Sequence, residues 1–188
     1  MDAPIAAPAP FSFTYRPGRL EVGDGAAGQL ASVLDDAGAD RALVVTGRTV
    51  GANEDVVDPV RAGLGERLAG VAPETTPEKR LSTAVSLADR VADAGADAIV
   101  GVGGGSSIDL AKVTSLVAAS GQSPADLAAA LADSGTLPVP DGDLPPVVAV
   151  PTTLAGADCS QVAGVSAGTA SGLAEPVSGG VSNPRLFP

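Results

Sequence analysis

The 188-residue chain has no histidine and no tryptophan, and it has only one cysteine, one methionine, one tyrosine and two lysines. Without histidine it cannot form a Ser-His-Asp or Cys-His catalytic group, or a metal site with an imidazole ligand. The single Cys159 excludes an internal disulfide and favours a reducing compartment. Any chemistry of this chain must therefore use carboxylates, Lys112, Tyr15, hydroxyl groups or a bound cofactor.

Acidic residues outnumber basic residues by 22 to 11, which gives a net charge of −11. This charge opposes binding to nucleic acid and to anionic membranes. No apolar run reaches the roughly 18 residues that a membrane span needs, and residues 1–10 lack the features of a signal peptide. We expect a cytoplasmic protein with a loose arm at 1–10, and the acidic, lysine-poor composition suggests a halophilic source.

Short apolar runs bounded by glycine, proline or polar residues predict the strands of an open, mainly parallel sheet. The predicted strands are 11–15 at an edge, 41–46, 98–102 and 147–150, with at most a stub at 70–77 and short β runs at 161–166 and 177–181. The sequence Ala-Gly-Ala-Asp precedes two of these strands, at 37–40 and 94–97. One helix-to-strand unit is thus used twice, which indicates a Rossmann-like α/β fold.

Helices are predicted between these strands from capping residues and apolar spacing. Their predicted ranges are 26–37, 55–68, 82–94, 107–119 and 125–132. Gly38 and Gly95 should end two of them, and Asp55 and Ser123 should cap two others. On the third helix, capped by Ser82 or Thr83, the residues expected to face the core are Val85, Ala88, Val91 and Ala92.

The chain is organised around a glycine-rich turn, in which an apolar strand passes through Gly103, Gly104 and Gly105 directly into a helix. Glycine lets a ligand approach the backbone, and the first N–H groups of a helix have no intrahelical acceptor, so such a turn can bind phosphate. The turn does not match the Rossmann G-x-G-x-x-G pattern, because Ser106 takes the place of the last glycine. No Walker Gly-Lys-Ser/Thr sequence follows it either.

A purely structural interpretation of the same turn is also open. In this interpretation Ser106 and Asp109 form a capping box at the start of the helix. Lys112 is then an exposed partner of Asp109 one helical turn later. The turn by itself favours neither interpretation.

A second candidate loop, at 151–158, follows the last predicted parallel strand and contains Thr152 and Thr153. The carboxyl ends of parallel strands lie at one edge of a sheet, so this loop and the glycine-rich turn should converge on one crevice. Two threonine hydroxyls can bond to phosphate or ribose oxygens, although such a pair can also form a local turn or a helix cap.

Both motifs resemble those of one family. The segment 103–112, GGGSSIDLAK, resembles the GGGS-x-x-D-x-A-K signature of the iron-containing alcohol dehydrogenases, and PTTLAGAD at 151–158 is similar to the PTTLSGAE form of their maleylacetate reductase-like branch. The resemblance covers 11–188 and implies that this region is the family's dinucleotide-binding domain. It assigns the pyrophosphate to Gly104, Gly105 and Ser106, with Gly103 as a further cofactor-binding residue and Asp109 bracing the turn. The residues that it assigns to the ribose and nicotinamide are Thr152, Thr153 and Leu154.

The first parallel strand ends at Gly47 and Arg48, where the family often has an acid that bonds to the adenosine ribose. Without this carboxylate a 2′-phosphate is not repelled, and the Arg48 guanidinium could pair with it. The expected cofactor is therefore NAD(P), with NADP favoured. The alternative is that Arg48 only points to solvent.

The resemblance also implies what the chain lacks. Family members continue into a helical domain that supplies one Asp and three His to iron or zinc, and a chain without histidine cannot bind this metal alone. We expect hydride transfer between nicotinamide and an alcohol or carbonyl compound to need such a domain, and exposed apolar surface at its docking site to allow self-association instead. Two alternatives stay open: a non-catalytic NAD(P)-binding module or split-gene remnant, and the nucleotide domain of the glycerol-1-phosphate dehydrogenase and dehydroquinate synthase group.

Overall fold

The computed structural model describes residues 11–14 and 19–182 of the chain. The expected loose arm at 1–10, Tyr15 and the residues from 183 onward lie outside these ranges. Within the described ranges, none of the helices combines the length and the hydrophobicity that a membrane span requires.

A four-stranded parallel sheet forms the centre of the fold. The strands of the protein are β1 (Phe11–Thr14), β2 (Arg19–Val22), β3 (Ala42–Gly47), β4 (Leu68–Thr75), β5 (Ala98–Gly103), β6 (Val147–Pro151), β7 (Val162–Ala167) and β8 (Val177–Ser182). The parallel sheet has the order β4-β3-β5-β6, with Val44 opposite Val100 and Val100 opposite Val148. The pairs β1-β2 and β7-β8 are separate and antiparallel. The open α/β, Rossmann-like sheet predicted from the sequence is therefore confirmed.

Helices cover both faces of the parallel sheet. They are α1 (Leu30–Asp36), α2 (Arg48–Gly51), α3 (Glu54–Leu64), α4 (Leu81–Asp93), α5 (Gly105–Ser120) and α6 (Pro124–Ser134). Successive strand residues point to opposite faces, so Val44 and Val100 pack with α1 and α3, whereas Leu43 and Ile99 pack with α4 and α5. This double coverage explains why β3 and β5 are almost continuously apolar.

The repeated Ala-Gly-Ala-Asp sequence produces two equivalent helix-to-strand connections. Gly38 and Gly95 follow α1 and α4 with left-handed φ values of 69° and 59°. The strands that follow, β3 and β5, are neighbours in the sheet. The Asp97 carboxylate joins the two copies, because it accepts hydrogen bonds from the backbone N–H groups of Asp40 and Arg41 at 2.8 to 3.1 Å.

The helix predicted at 55–68 has different ends in the structure. Its N-cap is Asn53 and not Asp55, since the Asn53 side chain accepts a hydrogen bond from the Asp55 N–H at 3.1 Å. The helix stops at Leu64, where Gly65 follows with a φ of 55°. Leu68, expected inside the helix, is the first residue of β4.

The segment 70–77, expected to hold at most a stub, lies largely in β4, a strand of eight residues at the edge of the parallel sheet. The sequence hides this strand because Gly70 and Pro73 interrupt its β pattern. A proline is tolerated here because an edge strand has one side without a hydrogen-bonded neighbour.

The predicted buried face of α4 was wrong. The helix begins at Leu81 without a side-chain cap, so neither Ser82 nor Thr83 caps it. Its buried residues are Leu81, Ala84, Leu87 and Val91. Of the predicted stripe only Val91 is buried, because the helix turns its two larger leucines toward the sheet and α5.

Two predictions for the first 40 residues also need correction. The predicted helix 26–37 divides into a 3-10 turn, Ala26–Gln29, and α1. The predicted edge strand at 11–15 does not join the parallel sheet, since β1 pairs with β2 in a hairpin of its own. The predicted cap of α6 is correct, because Ser123 accepts a hydrogen bond from the Asp126 N–H at 3.2 Å.

Candidate functional site

The glycine-rich turn joins β5 to α5 without a side-chain cap. Gly103 ends β5 with a φ of 140°, Gly104 is the extended N-cap residue, and α5 begins at Gly105. By helix geometry the N–H groups of Gly105 and Ser106 have no acceptor within α5. The capping box of Ser106 and Asp109 is therefore wrong, and the helix N-terminus presents free backbone donors of the kind that bind anions.

The second loop lies directly over this turn. Gly103 is paired with Pro151 across β5 and β6, and the Thr152 N–H donates to the Gly103 carbonyl at 2.9 Å. A Cβ on Gly104 would lie 3.5 Å from Thr153 Oγ1, and one on Gly105 would lie 3.3 Å from the Ala155 Cβ. The two motifs thus meet at the carboxyl edge of the sheet, as the parallel strand order leads one to expect.

The three residues expected to face the ribose and nicotinamide, Thr152, Thr153 and Leu154, are all exposed. Leu154 is the most exposed large apolar side chain among the described residues. It therefore presents an apolar surface beside the backbone donors of the turn. Whether these three side chains contact a cofactor stays a prediction.

The ends of β3 and β4 complete the same edge. Gly47 is the N-cap of α2, and a Cβ on it would lie 3.5 Å from Thr75 Oγ1. Thr75 Oγ1 and Ser107 Oγ form a buried hydrogen bond of 2.8 Å, which joins the end of β4 to the first turn of α5. Arg48 is exposed at this edge and forms no ion pair with any residue that the structure describes.

Asp109 contacts a different part of the protein than the resemblance implies. Its Oδ2 atom accepts hydrogen bonds from Lys79 Nζ at 3.0 Å and from the Gly164 N–H at 3.2 Å. These partners belong to the loop after β4 and to β7. Among the hydrogen bonds of the described residues, none joins the Asp109 carboxylate to the glycine-rich turn. Asp109 instead connects α5 to Lys79 and to β7.

Lys112 is buried, so the structural interpretation that made it an exposed partner of Asp109 is wrong. Its ammonium donates to the carbonyl oxygens of Ala157 at 2.6 Å, Ser160 at 2.5 Å and Val162 at 3.1 Å. Burial lowers the pKa of Lys112, while the negative charges of Asp109 and Asp158 act in the opposite direction. The side chain thus connects the middle of α5 to the segment that follows the second loop.

A cleft of about 560 Å³ runs along β6, the last strand of the parallel sheet in the described residues. Val148 and Val150 of β6 line the cleft together with Arg19 and Leu30. Asp158 also borders this cleft, which therefore reaches the second loop.

A family model described as iron-containing alcohol dehydrogenase matches residues 17–188. The chain belongs to the iron-containing alcohol dehydrogenase family. The match includes both motifs and nearly the whole chain, and it confirms the resemblance found in the sequence.

Two relatives show how much of such a protein this chain represents. Maleylacetate reductase of Burkholderia cepacia is 29% identical over 156 residues, which cover 83% of this chain and 36% of the reductase. NAD-dependent methanol dehydrogenase of Bacillus methanolicus is 35% identical over 104 residues, which cover 53% of this chain and 26% of that enzyme. The chain therefore spans only 26% to 36% of the length of these relatives.

A solved structure shares the fold. Sulfoacetaldehyde reductase from Bifidobacterium kashiwanohense, in complex with NAD+, has a TM-score of 0.74 and 19% identity to this chain. The likeness covers 95% of this chain and 44% of that one. At this identity it shows the fold alone.

The name of the iron-containing family implies a metal, and the residues of this chain do not fit one. The chain has no histidine. Within the part that the structure describes, no three His, Cys, Asp or Glu side chains are grouped as a ligand set.

Four residues of the site were missed or misjudged from the sequence, namely Thr75, Lys79, Ser107 and Lys112. The rarity of lysine could have drawn attention to two of them. Lys79 contacts Asp109 of α5, and Lys112 lies on α5 itself. Lys79 carries a second signal in the structure, a φ of 50° that non-glycine residues seldom adopt. No sequence pattern pointed to the Thr75 and Ser107 pair.

Proposed function

We propose that this chain binds a nicotinamide dinucleotide and forms the cofactor-binding part of an oxidoreductase acting on an alcohol or carbonyl compound. The observation that carries the proposal is the meeting of the two loops, in which Thr152 donates to Gly103 and Thr153 lies beside Gly104. Family membership and the names of the two relatives support the same function.

The proposed pyrophosphate site is the N-terminus of α5. The N–H groups of Gly105 and Ser106 point out of the helix there, and the positive end of the helix dipole favours an anion. Gly104 has no side chain to block the approach, and the hydroxyls of Thr152 and Thr153 are exposed beside it. The nicotinamide would supply a hydride acceptor or donor, and Leu154 would offer an apolar surface close to it.

A fluorescence titration of the 188-residue chain with NADH tests this proposal. Gly105→Asp should weaken binding at least tenfold, because a carboxylate would stand where the pyrophosphate is proposed to lie and repel it. Gly28→Asp is the matched control, since Gly28 has nothing within 4 Å of its Cβ position and belongs to the 3-10 turn Ala26–Gln29, not to either of the two loops. Saturable binding that is equal in all three proteins, or no binding by the parent chain, would contradict the proposal.

We further propose that NADPH binds at least as tightly as NADH. Gly47 leaves no carboxylate at the end of β3, and Arg48 beside it is exposed without an ion-pair partner in the described ranges. Its guanidinium is therefore available to a 2′-phosphate. Arg48→Gln should reduce NADPH affinity about tenfold and leave NADH affinity within twofold. Equal losses for the two cofactors would show that Arg48 does not recognise the 2′-phosphate.

Hydride transfer to a substrate is proposed to need groups beyond those of this chain. The relatives are more than twice as long as the segment matched here, and the chain offers no histidine for a metal. The cleft along β6 is a surface on which a further domain or a second copy could dock. Turnover of an alcohol by the purified chain with NAD+ and added iron or zinc would contradict this proposal.

A further inference from the structure

We propose that Lys112 is a positioning residue, which holds the segment 152–160 against the glycine-rich turn and so sets the geometry of the cofactor site. The proposal rests on the proposed function for its effect on NADH binding. Its structural part can be tested without a cofactor.

The first argument is the way in which the ammonium is satisfied. A lysine ammonium has three N–H donors, and three carbonyl oxygens lie 2.5 to 3.1 Å from Lys112 Nζ. Ala157 belongs to a 3-10 turn of three residues, Ser160 follows it, and Val162 begins β7. A single buried cation therefore holds together a segment with little secondary structure of its own.

The second argument is helix geometry. Gly105 and Lys112 are seven residues apart, which is close to two turns of α5, so they lie on the same face about 10 Å apart. The loop runs along this face. Ala157 contacts both ends, since its carbonyl accepts from Lys112 and its Cβ lies 3.7 Å from the position of a Cβ on Gly105.

The third argument is energetic: if Lys112 served only to fill the core, an apolar side chain would do so at a lower cost in free energy. A buried ammonium loses its hydration, and an apolar side chain of similar size usually packs a core equally well. The carbonyls that surround Lys112 belong to one loop and the adjoining strand, so the charge acts on the position of that loop. Asp109 makes separate contacts to Lys79 and Gly164 and does not replace this function.

The experiment compares the parent chain with Lys112→Met, which keeps an apolar side chain as far as Cε and removes Nζ with all three donors. Arg67→Met is the matched control. Arg67 also donates to two backbone carbonyls, those of Ala31 and Ala39, but it does so at the amino end of β4, at the opposite edge of the sheet. Each protein is titrated with NADH and with ADP, and amide hydrogen exchange is measured over 152–160.

Lys112→Met should bind NADH at least tenfold more weakly and ADP within twofold of the parent, because ADP lacks the nicotinamide riboside that the loop is proposed to contact. Exchange over 152–160 should be faster in Lys112→Met, while Arg67→Met should match the parent in all three measurements. Unchanged exchange, unchanged NADH affinity, or equal losses for NADH and ADP would overturn the proposal.

Two further outcomes are also decisive. If the parent binds neither NADH nor ADP, the proposed function fails, and the exchange rates alone decide whether Lys112 positions the loop. If Lys112→Met does not fold, Lys112→Gln is measured in its place, since its amide keeps two donors without a charge. Failure of both variants to fold would assign Lys112 to general stability and overturn the proposal.

Discussion

The burial of polar side chains on α5 is the feature that was hardest to predict from the sequence. Residues 110–116 are all buried, because α5 has the parallel sheet on one side and α4, α6 and β7 around the rest. A helix buried all round has no polar stripe from which exposure can be predicted. Without such a stripe, the sequence gives no sign that Lys112 is buried, although the motif that contains Lys112 was recognised.

Thr114 offers a test of this burial at the level of one hydroxyl. Its Oγ1 atom is buried and has no hydrogen-bond partner among the described residues. Thr114→Val keeps the shape and removes the unsatisfied group, so we expect the free energy of unfolding to rise by about 1 kcal/mol. Urea unfolding measures this change.

Ser115 provides the matched control for Thr114. It is the next residue and equally buried, but its hydroxyl donates to the Pro145 carbonyl at 2.6 Å. Ser115→Ala should lower the free energy of unfolding by about 1 kcal/mol, because it removes the hydrogen bond of a buried hydroxyl. A loss of stability in both variants would show that Thr114 has a partner after all.

At the scale of elements, the close packing of α5 on β5 sets the position of the glycine-rich turn. Gly101 has no side chain, and this allows Ala111 and Ile108 of α5 to approach the strand. The same approach brings Ser107 to Thr75 and lets Lys112 reach the segment after β6. The close approach at Gly101 and the polar contacts of the first turn and the middle of α5 thus hold the helix that bears the site.

Gly101→Ala should destabilise the protein by about 1 to 3 kcal/mol, because its Cβ would lie only 2.9 Å from the Ala111 Cβ. The double variant Gly101→Ala with Ala111→Gly removes the clashing atom. A double-mutant cycle by urea unfolding should therefore show a favourable coupling energy. Additive losses would show that the strand and the helix do not meet at these two atoms.

The elements themselves were predicted to different degrees. The strands β3, β5 and β6 were recognised because they are short, apolar and bounded by turn residues. β4 was reduced to a stub because its edge position tolerates a glycine and a proline that a central strand would exclude. The buried face of α4 was predicted incorrectly, because it depends on the elements against which the helix packs.

At the scale of the whole molecule, the net charge of −11 acts on stability and solubility. Repulsion among 22 acidic groups opposes the compact state, and added salt reduces it. The ion pairs among the described residues lie mostly at the surface, where they offset little of this repulsion. The repulsion is therefore a property of the many acidic groups together and not of one site.

We expect the melting temperature to rise with KCl. Simple screening is nearly complete at about 1 M, where the Debye length is about 3 Å. A rise that continues beyond this concentration would support the proposed halophilic source, because it requires hydration effects of the acidic surface in addition to screening. A melting temperature that does not change between 0.1 and 3 M KCl would contradict it.

The sequence by itself determined the α/β class, the strand-turn-helix at Gly103–105 and the family, because these depend on local periodicity, glycine conformation and residue order. It also placed the second loop at the same edge, since parallel strands end on one side. The tertiary structure alone decided that Asp109 pairs with Lys79 and that Lys112 donates to the carbonyls of Ala157, in the second loop, and Ser160, just after it. Such contacts join residues 30 to 48 positions apart, and their partners become known only when the elements are packed together.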